Sequence, residues 1–475
     1  MVLVGCLVDT LPADENQLLS TPQEIDKKYP LPQDPATIKK VRETRYAENK
    51  AATLDVFKAS LNAKKPWADA TREAMEAYCR RMSRGLITPA NSIEHMDFLT
   101  RVKSAAEAGS DDPLIVYWNV RFLERNDPTV GVWELGKTRE KRDRFKSAVT
   151  RLTESKYPAS IRVNAAWNYA MDVHRSDGES EEFLAAERVF WRTFGELLVA
   201  KDGFSQWTTH DISQHILTHY HGRTQNRATG WKKVEGAMID AKVPDHLRFL
   251  VEGEYLIAKA WDARGTGYAS SVTKEGWKVF RENLADAKYR LERAWVADKT
   301  NAATATAMLT VAYGQGFERD EMETWFRRAM ELDPDNYLAC NGKMEWLMPR
   351  WHGTAESARE FAYQCYRTRN WSAQIPLLLD PTAKERLSPT DPRLKPMLVD
   401  EDAWARVKAA HDGYVNAYPK DKWIRTRFAL ICETTDRLDE GRSAFTALEG
   451  KPWKWFFKDK QALERFEARY APEKR

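Results

Sequence analysis

Asn301-Ala-Ala-Thr-Ala-Thr-Ala-Met-Leu309-Thr-Val-Ala-Tyr313-Gly-Gln-Gly316 runs directly into Phe317-Glu-Arg-Asp320-Glu-Met-Glu-Thr-Trp-Phe326-Arg-Arg-Ala329-Met-Glu-Leu-Asp-Pro334-Asp-Asn336. Apolar residues recur every three or four positions. That period predicts two helices, Ala302–Tyr313 and Asp320–Leu332, joined by the polar turn Gly314-Gln-Gly316. Ala329 is small enough to let two helices approach, Phe326 fills the gap beside it, and Pro334 ends the second helix. A single helix pair cannot bury its own apolar face, so similar units must flank this one.

The flanks supply them. Ala287, Leu291 and Ala294 share one helical face, and Ala294 precedes Ala329 by 35 residues. The partner of that helix is Leu247–Arg264, reached through the loop Gly265–Thr273. Lys422–Leu448 reads as a third pair of similar length. Leu309, Tyr313, Phe326, Ala329 and Pro334 stand at five of the eight signature positions of the tetratricopeptide repeat, which this stretch resembles. Thr306, Thr310 and Met322 depart from it, standing where Trp, Gly and Ala are usual. The resemblance implies an all-α, right-handed α-solenoid of antiparallel helix pairs that binds a protein or peptide and carries no chemistry of its own. Ala260-Trp-Asp-Ala-Arg-Gly-Thr-Gly267 and Leu347-Met-Pro-Arg-Trp-His-Gly-Thr354 extend it: residues about 245–370 resemble an uncharacterised bacterial family with a domain of unknown function. That family brings no activity and no catalytic residues.

Outside this region the chain divides by texture. Residues 1–35 carry Pro12, Pro22, Pro30, Pro32 and Pro35 and read as an extended leader. Helical periodicity then fills an N-terminal region, 36–140, and a repeat region, 141–375. Five prolines between Pro376 and Pro396 forbid a long helix, so 376–400 reads as a linker or an irregular wrap. Helices return over 401–475, the last near Lys458–Tyr470 as a cap. No β-type alternation persists and no glycine-rich phosphate loop occurs, which argues against an α/β nucleotide-binding fold.

Lysine and arginine number 74 and aspartate and glutamate 70, for a net charge of +4. The signs are interleaved, as in Arg139-Glu-Lys-Arg-Asp-Arg144, where nucleic-acid binding needs a concentrated cationic surface. No stretch approaches the roughly 20 apolar residues that span a bilayer, so no transmembrane helix is expected. Of the five cysteines, Cys79, Cys340, Cys365 and Cys432 read as buried small hydrophobes. Cys6 closes Leu3-Val4-Gly5-Cys6, which resembles a lipoprotein lipobox and makes Cys6 a candidate lipid anchor. The five residues before it supply neither a positive n-region nor an apolar h-region. Two readings stay open, the tail of a longer export signal or a coincidence, and with them a cytoplasmic or a cell-envelope location.

One constellation carries the pattern of metal chemistry. In His210-Asp211-Ile-Ser-Gln-His215-Ile-Leu-Thr-His219-Tyr-His221, His215 and His219 are four apart on one helical face, with His210 or Asp211 as a third ligand. No acid follows His215, so the metalloprotease pattern fails. Arg264 with Gly265 and Gly267 reads as a helix end whose arginine bonds the loop, or as an anion-binding turn. Pro349-Arg350-Trp351-His352-Gly353 reads as a terminus with Trp351 plugging the gap between repeats. Lys451-Pro-Trp-Lys-Trp-Phe-Phe-Lys-Asp-Lys460 reads as a terminal segment docking its aromatics, or as a membrane-interface anchor. The expectation is therefore a non-enzymatic scaffold without cofactor; the alternative is a metal-binding protein or metal-dependent hydrolase at His210–His221.

Overall fold

Asn301 and Gly316 bracket the helix on which the sequence reading rests. The Asn301 side chain accepts from the Ala303 amide at 3.0 Å. Gly316 ends the helix in the left-handed region (φ 73°), where a Cβ would be strained. The next helix stops before Pro334, and Asn336 then caps its successor by accepting from the Ala339 amide. The same logic starts the first helix of the chain: Asp34 accepts from the Thr37 amide at 2.8 Å, with Pro35 in the first turn.

The computed structural model describes residues 29–84, 93–125, 139–201, 203–217, 227–265, 267, 269–384 and 387–471, and among these no strand occurs. Its longer helices are α1 Pro35–Ala52, α2 Ala68–Ser83, α3 Ile93–Glu107, α4 Arg139–Thr153, α5 Ala159–Asp177 and α6 Glu181–Leu198. Then come α7 Gly203–His215, α8 Arg227–Asp240, α9 Asp245–Arg264, α10 Lys274–Ala297, α11 Ala302–Gln315 and α12 Arg319–Leu332. The rest are α13 Tyr337–Leu347, α14 Ala355–Arg367, α15 Glu401–Ala417, α16 Lys422–Thr434, α17 Leu438–Thr446 and α18 Lys460–Tyr470.

Neighbouring helices pair head to tail. On α2 and α3, Glu73 meets Arg101, Arg80 meets Asp97 and Arg84 meets Glu94, so position falls on one helix as it rises on the other. On α5 and α6, Arg162 meets Glu196, Trp167 meets Phe190 and Tyr169 meets Glu182. The α9–α10 pair approaches closely: a Cβ on Gly253 would lie 2.7 Å from Leu291 Cγ, so only glycine fits that crossing unless Leu291 shifts.

A second set of contacts runs with the chain. Asn336 donates to Thr306 across 30 positions, and Trp346 donates to the Phe317 carbonyl across 29. Lys288 pairs with Glu321 at 3.0 Å, Trp295 packs on Trp325, and Phe326 packs edge-on against Phe361. Alternate helices from α10 to α14 are therefore parallel, with contacts such as these 29 and 30 positions apart in sequence. Ala287, Ala294 and Ala329 are all fully buried, and Phe326 and Leu309 nearly so. Beside them the Lys343 ammonium lies 2.7 Å from Glu323, between the faces of Phe326 and Phe361. Burial pushes the Lys343 pKa down while Glu323 pulls it back.

Residues 29–34 pack against this array. Tyr29 donates to Asp320, Leu31 joins the central core, and Gln33 donates to the Pro334 carbonyl at 2.6 Å. The proline-rich stretch is packed as well: Ile375 to Leu379, Leu394 and Leu398 are all buried. At the end of the chain Trp453 and Phe457 are buried and Phe456 stacks on Trp423, leaving Trp455 partly exposed. Cys79, Cys340, Cys365 and Cys432 are buried free thiols.

Ala329 sits where the core has no room for a larger side chain. Ala329→Trp is expected to overpack it and cost roughly 1–3 kcal/mol or more. A melting temperature unchanged within error would contradict the packing described here.

Candidate functional site

Two arginines of α1 cross to the far end of the helix pair at 302–336. Arg42 makes a bidentate pair with Asp335, Nε to Oδ2 at 2.9 Å and Nη2 to Oδ1 at 2.8 Å. Its Nη2 also donates to Asn370 Oδ1 and to Ser372. Asn370 in turn donates to Asp335 at 2.9 Å, and the Asp335 side chain is 0% exposed. One turn later Arg45 meets Asp333 at 2.6 Å. Burial pushes the Asp333 carboxyl up, against the pull of Arg45. Asp333 and Asp335 flank Pro334, so the residues that end one helix also hold another.

This crossing walls a cavity of about 570 Å³. Arg45 and Asn49 of α1 line one side, Trp207 and His210 of α7 another, and Glu254 of α9 a third. Asp298 and Thr306, around the start of α11, and Asp333 with Asn336 complete the enclosure. Leu338 stands at it 49% exposed.

The α7 wall is built by its own small residues. Thr208, Thr209 and Ser213 are buried, and each hydroxyl donates to the carbonyl one turn back. That satisfies them internally and lets α7 sit deep with polar side chains. His210, 17% exposed, places Nε2 2.8 Å from Glu254, and Gln214 donates to the same carboxylate oxygen. Burial alone lowers the His210 pKa, but the charge and hydrogen bond of Glu254 outweigh it, and the net shift is upward.

The two described histidines of the sequence pattern, His210 and His215, face different partners. His215 places Nδ1 2.8 Å from the Asp211 carbonyl and turns its ring edge-on to Trp167, whereas His210 faces Glu254. His219, His221 and Cys6 lie outside the described residues. Among the described residues no three His, Cys, Asp or Glu side chains are placed to hold a metal ion, and no helix is long and apolar enough to cross a membrane. Arg264 donates to the carbonyls of Gly265 and Gly267, both at 3.1 Å, and its guanidinium lies over Trp261, Trp277 and Trp351. The repeat-signature residues are structural: Leu309, Phe326, Ala329 and Pro334 are buried, and Tyr313 packs on Trp261 and Trp351. Sequence reasoning missed Arg42, Arg45, Asn49, Glu254, Asp298 and Asn370, because each acts through a partner or wall that no local spacing announces.

No protein-family model, curated protein or solved structure matches the chain.

The His210–Glu254 pair has a definite pH signature. A histidine whose folded pKa is raised stabilises fully below its unfolded value, about 6.5, and that stability is lost as pH rises through the folded value. Melting temperatures of wild type and Glu254→Gln should therefore differ most near pH 5–6 and converge toward pH 9. A gap independent of pH over that range would contradict the pairing.

Proposed function

We propose that the protein is a non-enzymatic helical-repeat scaffold that binds a protein or peptide in the cavity between α1, α7 and α11. Its helix pairs would stack as a right-handed α-solenoid of tetratricopeptide type. The head-to-tail pairs and the parallel contacts offset by about one repeat length support that stacking. So does the degenerate repeat signature at 306–334.

The observation that carries the reading is the cavity itself. Its walls come from separate helices spread along the chain from Thr44 to Leu338 and held by polar pairs, so it is a feature of the packed array and not of one loop. About 570 Å³ is within the range of small-ligand and side-chain pockets. Leu338 at its edge offers an apolar anchor next to polar walls, the usual layout of a recognition surface. The metal-dependent alternative needs His215 and His219 with His210 or Asp211 as a third ligand; His219 lies outside the described residues, and His210 is engaged by Glu254.

Two substitutions test the reading. Leu338→Ser removes the exposed anchor, and Ala303→Trp fills the cavity from α11. Partners captured from the native organism by wild type should fall about fivefold or more with each variant, since losing an interface anchor costs on the order of 1 kcal/mol. Melting curves would confirm that both variants fold. Equal capture by all three proteins would place binding elsewhere and overturn the proposal.

A further inference from the structure

The lysine- and aromatic-rich segment Lys451–Lys460 takes no part in the cavity, and none of its residues lines it. Glu449 and Gly450 both adopt the left-handed region (φ 51° and 67°), which ends the run of α17 and returns the chain to α16. The Trp453 amide then donates to Thr426 at 2.9 Å, Trp453 and Phe457 are buried, and Phe456 stacks on Trp423 at 6.2 Å. Lys454–Phe456 is thus a short 3-10 turn clamped by buried rings on both sides. Trp455, at its middle, stays 40% exposed. The turn is already ordered, so covering that indole again costs little further entropy.

Cations gather at the same place. Lys451 and Lys458 flank the turn and are exposed, and Lys420 and Lys422 stand at the start of α16, whose Trp423 carries Phe456. Burial, and then the charge of Lys451, hold the Lys422 pKa down, so these two ammonium groups lie near each other. Carboxylates offset them only in part. Asp421 is buried as the cap of α16, accepting from the Trp423 and Ile424 amides. Asp459 comes no closer than 4.0 Å to Lys458, whose side chain is 80% exposed. Glu449 acts on Lys422 less strongly than Lys451 does. Elsewhere the chain interleaves its charges; here lysines from two segments meet beside an exposed indole.

We propose that this face docks onto a membrane surface bearing anionic lipid headgroups, with Trp455 entering the interface and the lysines answering its charge. An indole has an apolar body and a polar tip, and it is favoured at headgroup depth. Lysine stems lie along apolar surface while their ammonium groups reach the headgroups, and each lysine near such a surface strengthens binding roughly fivefold. Peripheral attachment becomes stable when an apolar and a basic signal act together, and both are present here. Nucleic acid is the less suited polyanion. Its phosphates favour the planar fork of arginine, and Arg425, the arginine beside these lysines, donates to the Pro419 carbonyl at 3.0 Å.

Co-sedimentation of the full chain with phosphatidylcholine vesicles, with and without about 30% phosphatidylserine, tests the proposal. Binding is expected to be at least about fivefold stronger with phosphatidylserine and to weaken as salt rises from about 20 to 200 mM. Trp455→Ser should weaken it about fivefold or more, and Lys451→Glu with Lys458→Glu about tenfold or more. Lys451→Arg with Lys458→Arg, which keeps both charges, should bind like wild type. All these side chains are exposed, so melting curves should stay within error of wild type. No sedimentation with the anionic vesicles, equal binding to both kinds, or a Trp455→Ser variant that binds as well as wild type overturns the proposal. Failure on vesicles together with lysine-dependent binding to polyglutamate or to a single-stranded oligonucleotide also overturns it, and assigns the face to a soluble polyanion. Partner capture at the cavity does not involve Trp455, so the scaffold reading stands or falls separately.

Discussion

Asp335 is a carboxylate with no exposure to solvent, and an ion in that position must be neutralised by contact or not exist. Arg42 supplies the contact in the two-pronged geometry that suits a carboxylate, and Asn370 fills a further site on it. The pairing constrains more than two side chains. It fixes α1 against the end of α12, and with it the wall of the cavity that Arg45 and Asn49 form. The arrangement of Gln33, Arg42, Arg45, Asp333 and Asn370 around Pro334 makes one polar joint from three distant segments.

Local and distant information separate cleanly in this chain. The helices around 302–336 were legible because Leu309, Phe326 and Ala329 repeat at helical spacing and Gly316 and Pro334 punctuate them. The expected ends, Ala302–Tyr313 and Asp320–Leu332, differ from the observed Ala302–Gln315 and Arg319–Leu332 by two residues at most. The polar joint was not legible. Arg42 and Asp335 are 293 positions apart, and nothing in Leu-Asp-Pro-Asp-Asn distinguishes a helix end from a helix end that also binds arginine. The same limit applies to His210. Its spacing from His215 suggested shared chemistry, but its partner Glu254 is 44 positions away on another helix.

The 18 tryptophans have a related explanation. Several of them stand between packed helices and beneath cations. Trp261, Trp277 and Trp351 surround Arg264, and Trp295 and Trp325 face Arg328. A guanidinium over an indole keeps its charge in a partly dry setting at low cost. A chain with 30% charged residues can in this way pack many helices without isolating charge. Stacking of this kind sets the offset between helices, and the polar joint then sets where α1 lies on them.

That ordering makes the position of α1 depend on the Arg42–Asp335 pair. A double-mutant cycle on unfolding in urea, using Arg42→Met and Asp335→Leu, measures it directly. Each single substitution strands a buried or half-buried charge and should cost about 3–5 kcal/mol, while the double variant strands neither. A coupling well above about 1.5 kcal/mol is expected, with the double variant less destabilised than the sum of the singles. Additivity within about 0.5 kcal/mol would contradict it, because α1 would then be held by something other than this pair.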